Sequence, residues 1–371
     1  MSRERFRVNL SPTPPRDTPS GGVPFPTAET DVPADLRSVK VLVTGGAGYV
    51  GSHITLALRE AGCEVVVLDN LSTGHAWAVL DASLVVGDLA DTKLLAELLA
   101  NGRFDAVIHC AANIWVGESV REPARYYLNN AANAFRLFDL CDRHGIRHIV
   151  HSSTAAVYGQ PAMATIPETA PLAPINPYGA SKLMAERALR DIAAARELRY
   201  AILRYFNVAG ADRANRIGEA TPDNSHLIKV ACETALGLRP GMRINGTDYP
   251  TPDGTCIRDY VHVEDLAAAH LLALRRLLDG GASLIANCGY GHGYSVREVL
   301  DMVREVTGVP FPIAEGPRRP GDPPVLVAAN DHIRAELGWR ARHDDLREIV
   351  ATAWRWEREL QRRLARRRCS A

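Results

Sequence analysis

Val39-Lys40-Val41-Leu42-Val43-Thr44-Gly45-Gly46-Ala47-Gly48-Tyr49-Val50-Gly51 is the stretch on which the fold turns. Its first six residues form a short apolar run of the kind found in strands buried on both faces. The glycines that follow have the spacing of a phosphate-cradling turn. Gly45 permits the tight turn, Gly48 lets backbone approach a pyrophosphate, and Gly51 lets helix and strand pack closely, with Tyr49 and Val50 opening the helix whose N-terminus faces the phosphates. A strand-to-helix turn without any ligand is the plainer reading of the same glycines. Asp69 argues against it. A carboxylate about twenty residues beyond such a loop accepts from both ribose hydroxyls and repels a 2'-phosphate, so NAD is expected rather than NADP.

Working outward, residues 64–68, 106–109, 148–152 and 200–203 read as strands, while 91–99, 124–142 and 178–195 read as helices. Such alternation predicts α/β architecture: a Rossmann-type doubly wound parallel sheet with a smaller C-terminal substrate-binding α/β domain. Residues 1–38, rich in proline, serine and threonine, are expected to be a disordered leader. The NAD-binding domain is expected over 39–205, with segments from about 256–290 returning to it. Past Asn207 the pattern loosens into glycine and proline turns, and 206–356 is assigned mainly to substrate. Residues 357–371 form an arginine-rich helix or tail, read as a solvated end rather than a nucleic-acid arm.

Composition narrows the partners. The 371 residues carry a formal net charge of zero, which argues against nucleic acid or an anionic membrane surface as the main partner. Seven cysteines, scattered and without a Cys-x-x-Cys pair, disfavour a disulfide framework and a zinc site, so no metal is expected and a cytoplasmic setting is the simplest. The sequence contains no apolar run long enough to span a bilayer and no secretory signal.

Chemistry is carried by Asn176-Pro177-Tyr178-Gly179-Ala180-Ser181-Lys182. On a helix this spacing sets Lys182 one turn beyond Tyr178 on the same face, where an ammonium can favour the phenolate and create a base for a hydroxyl proton. An exposed lysine on an ordinary helix is the alternative. His151 to Gly159 is rich in hydroxyls and follows a strand, so one of them should meet a sugar hydroxyl or carbonyl beside Tyr178, unless its bonds are purely local. Asp88, after the third strand, either meets the adenine or caps the next helix.

Several motifs together resemble the UDP-galactose 4-epimerase family of the extended short-chain dehydrogenase/reductase fold. They are the glycine loop, Val116-Gly-Glu-Ser-Val120, Tyr126-Tyr-Leu-Asn-Asn130, Thr154-Ala-Ala-Val-Tyr-Gly159, Tyr178 with Lys182, Leu203-Arg-Tyr-Phe-Asn207 and Asp253-Gly-Thr-Cys-Ile-Arg258. The likeness runs from about residue 39 to 356. It implies that Tyr178 is the base, Lys182 its electrostatic partner and a ribose ligand, and Thr154 the holder of the sugar 4-oxygen. By the same resemblance Asn70, Asp88, Leu89, Asn129 and Tyr205 contact NAD, while Asn207, Leu227, Arg258, Arg319 and Asp322 hold the UDP-sugar substrate. Guanidinium forks suit a diphosphate, although surface ion pairs are the commoner fate of arginine. The implied reaction interconverts UDP-galactose and UDP-glucose through a transient 4-keto sugar and bound NADH, in a homodimer.

Ala155 and Ala156 separate this chain from nucleotide-sugar dehydratases and decarboxylases, which carry acidic residues there. Without a proton carrier beside Thr154, elimination is not supported. The chain departs from the family pattern at four places: no lysine occurs in Asn113-Ile114-Trp115, Asn245 replaces a phenylalanine, Lys229 stands where proline is common, and the gate to the 2-substituent is Leu326. Alternatives are 4-epimerisation of UDP-xylose/UDP-arabinose or UDP-N-acetylglucosamine, a net oxidoreductase, and a non-catalytic nucleotide-sugar-binding protein.

Overall fold

Val41, Leu42 and Val43 are fully buried in β1 (Lys40–Thr44), the middle of a parallel sheet. On one side lie β2 (Glu64–Asp69) and β3 (Ser83–Val86); on the other lie β4 (Ala106–His109), β5 (His148–Thr154), β6 (Arg199–Tyr205) and β7 (Leu284–Cys288). The order is β7-β6-β5-β4-β1-β2-β3, with every pairing parallel. The computed structural model describes residues 36–163, 165–221, 224–319 and 321–369, so residues 1–35 of the expected 1–38 leader lie outside the described residues, while Leu36 is buried in the core.

Strand side chains alternate between two cores. Val41, Val43, Val67, Ile108 and Leu203 join the core under helices Tyr49–Glu60 and Val263–Leu278, whereas Leu42, Leu68, Val107 and Ile202 meet helices Thr92–Gly102, Asn133–Arg143 and Pro177–Ala195. Burial on both faces is why these strands read as continuous apolar runs. Short strand pairs add a second layer beyond β6. Asn207–Ala209 pairs with Tyr260–His262, Met242–Asn245 with Ile313–Gly316, and Ile257–Arg258 with both Tyr294–Ser295 and Val325–Leu326.

Two expectations about elements need correction. The helix expected over 124–142 is broken: Pro123–Tyr126 is α-helical, Tyr127–Ala132 forms a π-helical turn, and Asn133–Arg143 resumes the α-helix. Within the wide turn, buried Asn130 bonds the backbone of Asn113 through both ends of its amide, at 2.8 and 2.9 Å, and donates to Ser181 Oγ at 3.1 Å. The region past Asn207 is also more regular than its turns suggest, with helices Leu227–Ala235, Val263–Leu278, Val296–Thr307 and Asp331–Leu337. The longest of these is buried around much of its circumference and has no exposed residue.

Beneath the carboxyl end of β5 and β6 lies a buried ion pair. Arg204 on β6 donates from Nη2 to Glu186 Oε2 at 2.6 Å and from Nε to Oε1 at 3.0 Å. Both side chains are at most 2% exposed, and Ser153 Oγ and Tyr158 Oη complete the network. Removing one partner strands a charge in a low-dielectric interior, whereas removing both does not. Glu186→Leu is therefore expected to lose about 3–5 kcal/mol in urea unfolding, and Glu186→Leu with Arg204→Met to recover a large part of it.

Candidate active site

The glycine loop leaves β1 with Gly45 in the left-handed region, φ +73°, its N–H donating to Leu68 O at 2.9 Å. A Cβ on Gly51 would stand 2.1 Å from Gly45 O, so only glycine lets the helix start this close to the strand. Gly48 caps helix Tyr49–Glu60 without any side-chain cap. The first-turn N–H groups of Tyr49, Val50 and Gly51 thus have no intrahelical acceptors, and all three residues line the cavity, the arrangement a pyrophosphate requires.

Asp69 ends β2 and ties itself to this loop. One carboxylate oxygen accepts from Ala47 N at 3.0 Å, the other from Leu71 N at 2.8 Å. Burial raises its pKa, while those two N–H groups oppose the shift. Asn70 Nδ2 donates to Asp88 Oδ2 at 2.7 Å, and the other Asp88 oxygen accepts from Ala90 N. The helix cap is instead Asp91, which accepts from Leu94 N at 3.0 Å. Asp88 is left on the cavity wall beside Leu89.

Across the cavity, helix Pro177–Ala195 begins with proline at its first turn and Asn176 as its cap, accepting from Gly179 N at 2.9 Å. Its buried face carries Tyr178, Ser181, Lys182, Ala185, Glu186 and Leu189. Tyr178 reaches the cavity beside Thr154, whose hydroxyl opposes the upward pKa shift that burial imposes on the phenol. Thr154 Oγ1 accepts from Ala156 N at 3.1 Å, the local bond that such a hydroxyl-rich turn can make.

Lys182 follows one turn beyond Tyr178 on the same buried face. Its ammonium donates to Ser152 O, and the residue is 3% exposed. Burial lowers its pKa to about 8.

Every other residue expected at the site lines one cavity of about 1670 Å³, larger than a pocket for a single small ligand. These include Asn129, Tyr205, Asn207, Leu227, Arg258, Arg319 and Asp322. Arg258 is fixed by its own donors, giving bonds to Ile257 O at 2.9 Å and Pro323 O at 2.8 Å, with Asp322 at 3.9 Å. Ala155, Ala156, Ile114, Trp115, Asn245, Lys229 and Leu326 line the same cavity.

Sequence reasoning passed over Cys110 and the Glu186–Arg204 pair. Cys110 lies in the wall, 3.3 Å from Ser152 Oγ, and burial pushes its thiol up to about 11. Only its place just after β4 could have signalled it. Glu186 was legible as the next turn of the Tyr178–Lys182 face. Among the described residues no group of His, Cys, Asp and Glu could hold a metal ion.

The sequence pattern of the NAD dependent epimerase/dehydratase family matches residues 41–289. The UDP-glucose 4-epimerase of Azospirillum brasilense is 57% identical over 325 residues, covering 87% of this chain and 93% of that protein. The crystal structure of UDP-glucose 4-epimerase from Brucella ovis in complex with NAD superposes with a TM-score of 0.83 at 44% identity, covering 85% of this chain and 98% of that one. A third, from Stenotrophomonas maltophila with bound NAD and formylated UDP-arabinopyranose, gives a TM-score of 0.84 at 39% identity, covering 88% and 99%.

Gly51→Ala forces a methyl to within 2.1 Å of a backbone oxygen, whereas at Gly117 the nearest neighbour of a new methyl is Arg121 Nη1 at 3.9 Å. The first substitution is expected to lower the thermal midpoint and the NAD recovered by acid extraction; Gly117→Ala should leave both unchanged.

Proposed function

The chain belongs to the NAD dependent epimerase/dehydratase family, and we propose that within it the protein is a UDP-glucose 4-epimerase, interconverting UDP-galactose and UDP-glucose. One observation carries this reading: Tyr178 and Thr154 line one cavity wall, where the neighbouring Ala155 and Ala156 hold no proton-carrying group. Such a pair serves oxidation and reduction at a single carbinol carbon, not elimination.

Gly45, Gly48, Tyr49, Val50 and Gly51 would hold the pyrophosphate of NAD, Asp69 and Asn70 the adenosine ribose, and Asp88 with Leu89 the adenine. Asn129, Tyr205 and Lys182 would hold the nicotinamide half. The uncapped helix start and the glycine cradle support this placement. When bound, NAD supplies a reversible two-electron acceptor that each turnover restores.

Tyr178 removes the proton of the sugar 4-hydroxyl and later returns it, while Thr154 holds the 4-oxygen. The Lys182 ammonium, buried in low dielectric, favours the charged phenolate across the interior although it makes no direct bond to it. Arg258 and Arg319 grip the diphosphate, with Asn207, Leu227 and Asp322 alongside. Anchoring the substrate by its nucleotide end leaves the hexose free to turn and present its other face.

The NAD-binding domain is assigned to 39–205, completed by β7, and the UDP-sugar domain to 206–356. A homodimer is supported by apolar side chains exposed on the helical segment 127–143 and on helix Pro177–Ala195: Leu128, Phe135 and Met184. Six described cysteines are free, which suits a reducing cytoplasm, and no described helix is long and apolar enough to cross a membrane.

Purified protein given UDP-galactose is expected to form UDP-glucose without net change in NAD; failure to convert any UDP-hexose overturns the proposal. Tyr178→Phe should lower kcat by about a thousandfold or more while isothermal calorimetry still shows UDP binding. Because the Lys182 pKa is lowered to about 8, the ammonium is retained below that pH and lost above it. The value of kcat/KM should therefore fall about tenfold for each pH unit beyond the shoulder, and a profile flat through pH 10 would remove Lys182 from this role.

A further inference from the structure

Lys229 occupies an adverse place. It is the third residue of helix Leu227–Ala235, where the helix dipole disfavours a cation, and its side chain is only 6% exposed. Two carboxylates compensate: Glu357 Oε2 accepts directly from its ammonium, and Glu233 Oε1 stands at 3.3 Å. Glu357 is fully buried on the C-terminal helix Leu346–Cys369, with its other oxygen accepting from Gln361 at 2.9 Å. A buried ion pair adds little net stability, so what this one supplies is position.

The position it fixes is that of the cavity wall. Trp356, the residue before Glu357, donates from its indole to Glu219 O at 3.0 Å. The Glu219 carboxylate in turn accepts from His226 Nδ1 at 2.7 Å and from Asn224. Consecutive residues of the terminal helix thus hold Glu219 and Lys229, and between these anchors lies Leu227, facing the cavity. Glu357 has no counterpart in the expected catalytic set, and it lies on a different element from Tyr178.

The geometry points to Lys229, clamped by Glu357, as a positioning residue that sets the substrate-binding wall at Leu227 for the nucleotide end of the UDP-sugar. This rests on the reading of the cavity as a UDP-sugar site. It assigns the terminal helix a part in substrate affinity and none in the proton transfer at Tyr178.

The test uses the NAD-loaded full chain with Glu357→Gln, which keeps volume and removes the countercharge. KM for UDP-galactose and the Kd for UDP by calorimetry are expected to rise about tenfold, with kcat within twofold and bound NAD unchanged. Should Glu357→Gln fail to fold, the double variant Lys229→Met with Glu357→Leu leaves no orphan charge and should show the same rise. Lys229→Arg, which keeps the cation, should bring KM back to within about twofold of the parent. Unchanged KM and Kd in a folded variant, or a loss shared equally by kcat and NAD content, overturns the inference. If the parent chain binds UDP but epimerises no UDP-hexose, the functional reading falls instead, and the UDP Kd still decides the role of Lys229.

Discussion

The structure depends on one close approach, the 2.1 Å that would separate a Gly51 Cβ from the Gly45 carbonyl. Because no side chain fits there, helix Tyr49–Glu60 starts directly against the end of β1, and its uncapped first turn opens onto the crevice where the strand order reverses between β1 and β4. The Asp69 carboxylate accepting from Ala47 N carries that constraint to the neighbouring strand. An anion bound at the loop and a ribose bound at Asp69 are therefore referred to the same few backbone atoms.

The far wall is fixed by different means. Tyr178, Lys182 and Glu186 follow one another at single-turn intervals, so one helix face delivers a phenol to the cavity, an ammonium to Ser152 O and a carboxylate to Arg204. The carboxylate and the guanidinium satisfy each other inside the protein, while the ammonium has the Ser152 carbonyl. Charges held in low dielectric are felt over several ångströms without a direct contact.

Backbone constraints were the most legible part of the sequence, because only glycine answers them: Gly45, Gly48 and Gly51 announced the loop, and Asp69 its ribose end. The Tyr178–Lys182 spacing predicted a shared helix face, and the face exists. What it could not reveal was the acceptor for Lys182, since a carbonyl on a distant strand has no residue signature. Asp88 had a helix cap as its alternative role; backbone geometry gave that cap to Asp91 and left Asp88 for Asn70. Helix Val263–Leu278 went unread because it lies among the glycine and proline turns that dominate the sequence past Asn207.

The C-terminal helix shows how composition misleads where topology does not. Its arginines suggest a basic surface, yet Arg363 lies over the rings of Trp77 and Trp356 at 5.8 and 5.0 Å and bonds the carbonyls of Arg216 and Asn215. Its acids and indole are the deeper members, with Trp356 and Glu357 nearly or fully buried. Trp77 follows the Asp69 loop, and His75 beside it bonds Ala220 O at 3.0 Å, so the segment leading to Glu219 is held from the cofactor side as well. A path of packed rings and hydrogen bonds therefore runs from the Asp69 loop through Trp356 to Lys229 and Leu227. Two ligands that must meet at one carbon need their far ends held at a fixed separation, and a helix braced against both ends is a direct way to hold it.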